Sequence, residues 1–243
     1  MNTAETIRRA VAQVEQMRQE SRALPDIGAA LAAVKQFQAR RFRGTYADLL
    51  AAGPYAGATR FFLEELYSDR DYAERDAQFA RIAGAVERLF PRDVAGTAAA
   101  LAELHALTES LDHAMARTLP ATGIDVASYV GAWRTVGRQA DREQQLERVV
   151  SIGSELARLT RLPGLRLMLK MMRGPAAASG LSALQRFLES GFDTFADIAK
   201  SRAGAENFLL IVREREQRLL QALYTAEPVA CETELARILG EAR

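Results

Sequence analysis

Apolar residues recur at helical spacing, three or four positions apart, along nearly the whole chain. Ile7, Val11, Val14 and Met17 make a first stripe, and Ile27, Leu31, Val34 and Phe37 a second. Tyr72, Phe79, Ile82, Val86 and Leu89 share one face of a later segment. Leu101, Leu104, Thr108, Leu111 and Met115 form the seam of a long one, at residues 93–118. Further stripes run through Val126, Tyr129, Val130 and Trp133, then Leu146, Val149, Val150, Gly153, Leu156 and Leu159. Leu181, Leu184, Leu188, Gly191, Phe195 and Ile198 continue the pattern, followed by Phe208, Ile211, Val212, Arg215, Leu219 and Leu223. Residues 208–212 alone could be a buried strand. Their continuation into Arg213-Glu214-Arg215-Glu216 without a turn signal favours a helix.

Start and stop signals divide these stripes. Asn2 with Glu5, Thr45 with Asp48, Ser68 with Asp71, and Thr122 with Asp125 have capping-box spacing. Gly44, Gly53-Pro54, Phe90-Pro91, Gly137, Pro163-Gly164, Gly174-Pro175, Gly204 and Pro228 are the expected breaks, with Pro54 and Pro175 opening new helices. Strand alternation and a repeat period are both lacking. The expectation is an all-α fold: a globular bundle of about eight to ten helices around one large apolar core, its neighbours mostly antiparallel because connections are short. Residues 1–243 are expected to form a single helical domain, with 1–120 and 121–243 as the alternative subdomains.

Composition narrows the function classes. Of 243 residues, 49% are hydrophobic and 26% charged, ordinary for a globular chain. The balance of 32 Lys and Arg against 31 Asp and Glu argues against nucleic acid as a partner, since such proteins usually show a strongly basic face. Cys231 is the only cysteine, which excludes an intrachain disulfide and a multi-cysteine zinc site. Residues 1–22 lack the apolar run of a secretory signal, and no stretch suits a membrane span. A cytoplasmic location is expected.

Residues 61–67 read FFLEELY, between RRFRGTYADLL (40–50) and SDRDYAERDAQFARI (68–82). Together with MMRGPAAASGLSALQRFLESGF (171–192), this resembles the bacterial family named for its FFLEELY motif, over about residues 37 to 215. The resemblance implies a helical protein of uncharacterised activity, and it transfers no catalytic residue.

Several residues could carry chemistry. Glu64 and Glu65 lie in an aromatic segment, where a carboxylate needs a partner or a raised pKa. Arg75, Asp76 and His105 are candidate partners for acid–base or metal chemistry, and a structural ion pair is the plainer reading. Neither His105 nor His113 has a Glu three positions before it, which counts against a di-iron bundle. His105 lies beside the core stripe, as an axial haem ligand would, although one such histidine is equally a structural residue. His113, four after Glu109, has the spacing of a surface ion pair. Arg134, Arg138 and Arg142 make a basic edge expected to pair with Glu143 and Glu147. Cys231 is expected to be an ordinary thiol, and nucleotide-loop and nucleophile-elbow motifs are lacking.

Residues 161–173, RLPGLRLMLKMMR, have the most unusual local composition. Arg166, Lys170 and Arg173 form one stripe amid leucines and methionines. Three readings stay open: a central buried helix whose cations meet carboxylates, the rim of a pocket for an anionic or acyl ligand, or an amphipathic contact with a membrane or partner.

The first functional expectation is therefore a non-enzymatic cytoplasmic protein that binds a protein partner or itself, without a cofactor. The alternative is an apolar pocket with a basic rim between residues 61–67 and 165–172. It would hold an acyl or other anionic amphiphile, or less favourably haem. Its candidate residues are Tyr46, Phe62, Glu65, His105, Met168, Lys170 and Arg173, and a structural test is a cavity near Tyr46, Phe62 and Met168.

Overall fold

A computed structural model describes residues 2–66, 72–120, 123–201 and 204–240. The described residues are helical throughout, without a strand. Their segments are α1 (Thr3–Ala23), α2 (Pro25–Thr45), α3 (Ala47–Ala51), α4 (Ala56–Phe61), a π turn (Phe62–Leu66), α5 (Ala73–Leu89), α6 (Arg92–Ala116) and α7 (Val126–Val136). They continue as α8 (Gln139–Leu159), α9 (Leu165–Met171), α10 (Arg173–Ala178), α11 (Ser182–Lys200), α12 (Gly204–Thr225) and α13 (Pro228–Ile238). The number of segments exceeds the expected eight to ten. The surplus lies in the short pieces α3, α4, α9 and α10, each of seven residues or fewer.

Helix α6 is the axis of the bundle. It packs against α1, α2 and α8; α1 also leans on α5, and α8 on α12. Helix α11 lies across α4, α5, α8 and α12, while α13 closes one end against α7 and α2. In place of one large core, the buried residues group into four clusters. The first joins Phe42, Phe62, Leu104, Val149, Phe195 and Phe208, from both sides of residue 120. The second gathers Phe37, Met115, Tyr129, Trp133 and Leu235, and the third is a close alanine-rich contact of α1 with α5 and α6. The small fourth cluster seats α9 on α11 through Leu165, Phe192 and Ala196.

Local chemistry explains several boundaries. Asn2 accepts from the Glu5 backbone N–H at 2.8 Å while Glu5 accepts from the Asn2 N–H, the reciprocal pair expected at the start of α1. Asp125 and Ser128 make the same arrangement for α7, so Asp125 is the cap. The expected partner Thr122 lies outside the described residues, as do Ser68 and Asp71. Gly137, at φ 63°, and Arg138, at φ 53°, turn the chain from α7 into α8.

Other expected breaks are corrected. Gly44 lies inside α2, and what it supplies is close approach: a Cβ there would sit 1.9 Å from the Ile238 carbonyl oxygen. Thr45 donates back to the Arg41 carbonyl and does not cap α3. Pro54 precedes α4 by two residues, and Gly174-Pro175 lies within α10. Proline is tolerated in the first turn of so short a helix. The longer helix opens instead at Ser182, after Gly180.

Buried ion pairs tie the helices together. Arg41, 6% exposed, donates to Glu216 at 2.6 and 2.8 Å, and the Tyr46 hydroxyl donates to the same carboxylate at 2.9 Å. Arg142 stacks its guanidinium 4.0 Å from the Trp133 ring centroid. The Arg134–Arg142 edge thus turns inward: Arg134 donates to the Leu223 and Ala226 carbonyls, and Arg138 pairs with Asp141. Glu143 and Glu147 take other partners, Gln139 and Arg213. Among the described residues no helix is long and apolar enough to cross a membrane.

Candidate functional site

The chain widens from α4 into the π turn at Phe62, a distortion that often accompanies functional sites. Both adjoining aromatics are buried. Phe61 stacks on Phe187 of α11, with ring centroids 6.0 Å apart. Phe62 meets Phe195 at 6.3 Å and Phe208 at 5.5 Å.

Beside these rings lies an apolar cavity of about 280 Å³. Its walls come from five directions: Phe79, Ile82 and Val86 of α5, Leu101 and Leu104 of α6, Ile152 and Leu156 of α8, Leu165 and Leu169 of α9, and Leu184, Leu188 and Phe192 of α11. Gln185 is the one polar side chain among the described walls, and its amide donates to the Leu169 carbonyl at 2.6 Å and to Glu189 at 2.8 Å. Leu89 and Met172 also line the cavity while 70% and 36% exposed, so the cavity reaches the surface between α5 and the α9–α10 junction.

A smaller chamber of about 100 Å³, with charged and polar side chains along part of its wall, adjoins it. The two share Phe79, Leu101, Leu104, Val149, Leu184, Phe187 and Leu188 as lining. Asp76 is the centre of the polar side. Its Oδ2 accepts from Arg18 at 2.5 Å and lies 2.9 Å from His105 Nε2. Burial pushes the Asp76 carboxyl up, but His105 and Arg18 outweigh it and hold the group below the usual carboxylate range. Arg75 sits between the chambers, 3.9 Å from the Tyr72 centroid and 4.4 Å from that of Phe187. Burial lowers its pKa, a pull that the charges of Asp76, Tyr72 and Glu65 only partly offset. On the far wall Lys35 pairs with Glu109 at 2.6 Å, and Gln38 donates to Asp112 at 2.8 Å. Asp112 shifts the opposite way to Asp76: burial raises its pKa, and Arg142 and Lys35 only partly counter that.

The sequence candidates are therefore divided. Phe62 lies in the apolar wall; Glu65 and His105 lie in the polar one. Glu65 has Arg75 at 3.8 Å, and His105 has Asp76. Tyr46 is fully buried but directed to Glu216, and Met168 packs on the α9 cluster; neither is among the cavity walls, although Tyr46 shares the first core cluster with Phe62. Lys170 and Arg173 are exposed, Arg173 pairing with Glu189. The buried-helix reading of residues 161–173 is overturned, because within α9 only Leu165 is buried. Arg166 and Arg173 do meet carboxylates, but at the surface, at Asp193 and Glu189. His113 is also corrected: it is 7% exposed rather than on the surface, and its nearest carboxylate is Glu20 at 3.7 Å. Among the described residues no cluster of three or more His, Cys, Asp or Glu is placed to hold a metal ion.

A family model described as a domain of unknown function, DUF8198, matches residues 16–230. The chain belongs to that family. The matched DUF8198 region contains the π turn and every residue named above around the two chambers. No curated protein and no solved structure matches the chain.

What sequence reasoning missed is the contribution of α5, α6, α8 and α11. Phe79, Leu101, Leu184 and Leu188 read as ordinary core stripe positions, because periodicity shows that a face is covered and not what covers it. The one available signal was the excess of large apolar residues at 61–67 and 165–172, which marked one of the five helical walls and the two aromatic rings beside it.

Proposed function

We propose that this chain binds a small apolar or amphiphilic molecule, with an acyl-type chain held between α5, α6, α8, α9 and α11. The observation that carries this is the size of a void lined almost wholly by hydrocarbon. The cavity opens to the surface at Leu89 and Met172, which gives an apolar ligand a way in. Its volume is close to the lower end of ligand pockets, about 300 Å³, and aromatic walls with few polar groups are what such pockets present.

The adjoining chamber suits the polar end of the same molecule, since Glu65, Arg75, Asp76 and His105 sit where the apolar walls stop. In this reading the FFLEELY motif of the family resembled in sequence supplies Phe61 and Phe62 to the apolar chamber and Glu65 to the polar one. The role is carriage or sensing in the cytoplasm, without a chemical step.

Delipidated protein titrated with a pyrene-labelled acyl chain tests this directly. Saturable binding is expected, and Ala85→Phe, which projects a ring into the void from α5, should weaken it at least about tenfold while leaving the helical circular dichroism unchanged. Absence of saturable binding, or equal binding by the variant, would overturn the reading.

A further inference from the structure

Helix α9 presents apolar residues on two opposite faces. Leu165, Leu169 and, just beyond its end, Met172 point into the cavity. Leu167 and Met171, half a turn away, are 61% and 63% exposed. Of the seven exposed large apolar side chains among the described residues, four, Leu89, Leu167, Met171 and Met172, belong to the cavity mouth or the helix that covers it. Apolar side chains gathered in this way mark a contact surface.

The charge around them is one-sided. Residues 156–188 hold six cations (Arg158, Arg161, Arg166, Lys170, Arg173 and Arg186) and no carboxylate, in a chain whose net charge is only +1. Arg161, Lys170 and Arg186 are exposed and have no ion-pair partner among the described residues. Arg166 and Arg173 hold Asp193 and Glu189, but those arginines are more than half exposed, and pairs of that kind exchange readily at a charged surface.

We infer that the outward face of α9, with Leu89 beside it, docks on an anionic lipid bilayer and sets the cavity mouth against the acyl layer. Leu167 and Met171 enter the headgroup boundary, and the surrounding cations meet lipid phosphates. Too short to anchor the protein by itself, α9 gives a reversible contact, which suits loading and release of a lipid-derived ligand. The identity of that cargo rests on the acyl-cavity reading; the docking surface does not.

Co-sedimentation of the full chain with vesicles tests it. Binding to a phosphatidylcholine–phosphatidylglycerol mixture should exceed binding to phosphatidylcholine alone by at least about tenfold and should weaken with salt. The double variant Leu167→Asp/Met171→Asp should lose that binding while still taking up the pyrene acyl probe, because neither residue lines the cavity. Equal binding to both vesicle types, or vesicle binding that survives in the double variant, overturns the inference. So does a wild-type chain that takes the probe and ignores both vesicles, a result that leaves the cavity reading intact and assigns the exposed face to a protein. Lipid-selective binding without probe uptake has the reverse meaning: docking stands and the cavity reading falls.

Discussion

His105 Nε2 lies 2.9 Å from Asp76 Oδ2, the oxygen that also accepts from Arg18 at 2.5 Å. Three helices, α1, α5 and α6, thus meet at one carboxylate oxygen that is itself only 4% exposed as a residue. Asp76→Asn should remove the charge that both donors face and leave the partly buried Arg18 with only the longer Glu15 contact, at 3.8 Å. A loss of about 2–3 kcal/mol is expected in urea denaturation at neutral pH. His105→Ala, which leaves the Arg18 pair in place, should cost about 1 kcal/mol.

The Asp76 carboxyl is held below its unfolded value, so its stabilising contribution is fully present above about pH 5. It declines as pH falls through the unfolded carboxylate value of about 4 towards the folded one. Stability measured from neutral pH into acid should therefore fall less steeply in Asp76→Asn than in the wild type. Parallel acid limbs would contradict the assignment.

Asp112 should behave in the opposite sense, since burial raises it. Its folded form keeps a proton that the unfolded chain has released, so its contribution is lost as pH rises from about 4 through the folded value. Carboxyl-carbon NMR titration is expected to place the Asp112 midpoint above that of Asp76. The reverse order would show that Arg142 and Lys35 dominate over burial. Asp112→Asn keeps an acceptor for the Gln38 amide but removes the carboxylate 3.9 Å from the buried Arg142 guanidinium, and a loss of about 1–3 kcal/mol at neutral pH is expected.

The Arg41–Glu216 pair is a harder test of buried charge. Glu216→Ala leaves Arg41 buried and takes the acceptor from the Tyr46 hydroxyl, and about 3–5 kcal/mol of stability should be lost. Replacing both partners, Arg41→Met with Glu216→Leu, should recover much of that loss, because two buried charges are then removed together. A double-mutant cycle by thermal or chemical denaturation reads the difference.

Gly44→Ala brings a Cβ against the Ile238 carbonyl, a rigid backbone atom at the end of α13. Helix α13 must shift away from α2. We expect a loss of about 1–3 kcal/mol and faster amide exchange confined chiefly to α13 and the part of α7 it covers. Uniform exchange changes across the chain would not fit this contact.

How much of this could be read from the chain alone differs by element. The capping pair Asn2–Glu5 and the stripes of α1, α6 and α12 are local facts, and the structure agrees with them. Gly44 misled, because glycine has two uses, to break a helix or to admit a neighbour, and the second needs a partner distant in sequence; Gly174-Pro175 misled because a short helix accepts proline in its first turn. Residues 161–173 were recognisable as unusual, yet composition cannot say which of two apolar faces looks inward.

The long helices follow from the chain's local pattern, because periodicity, caps and propensity act within a few residues of each other. The one-sided charge of residues 156–188 is likewise a matter of sequence alone. That Asp76 joins Arg18 to His105, that Phe62 and Leu184 face the same void, and that Leu167 stays outside become visible once the helices are packed. Those relationships depend on how distant helices pack, which the pattern along any one helix does not encode.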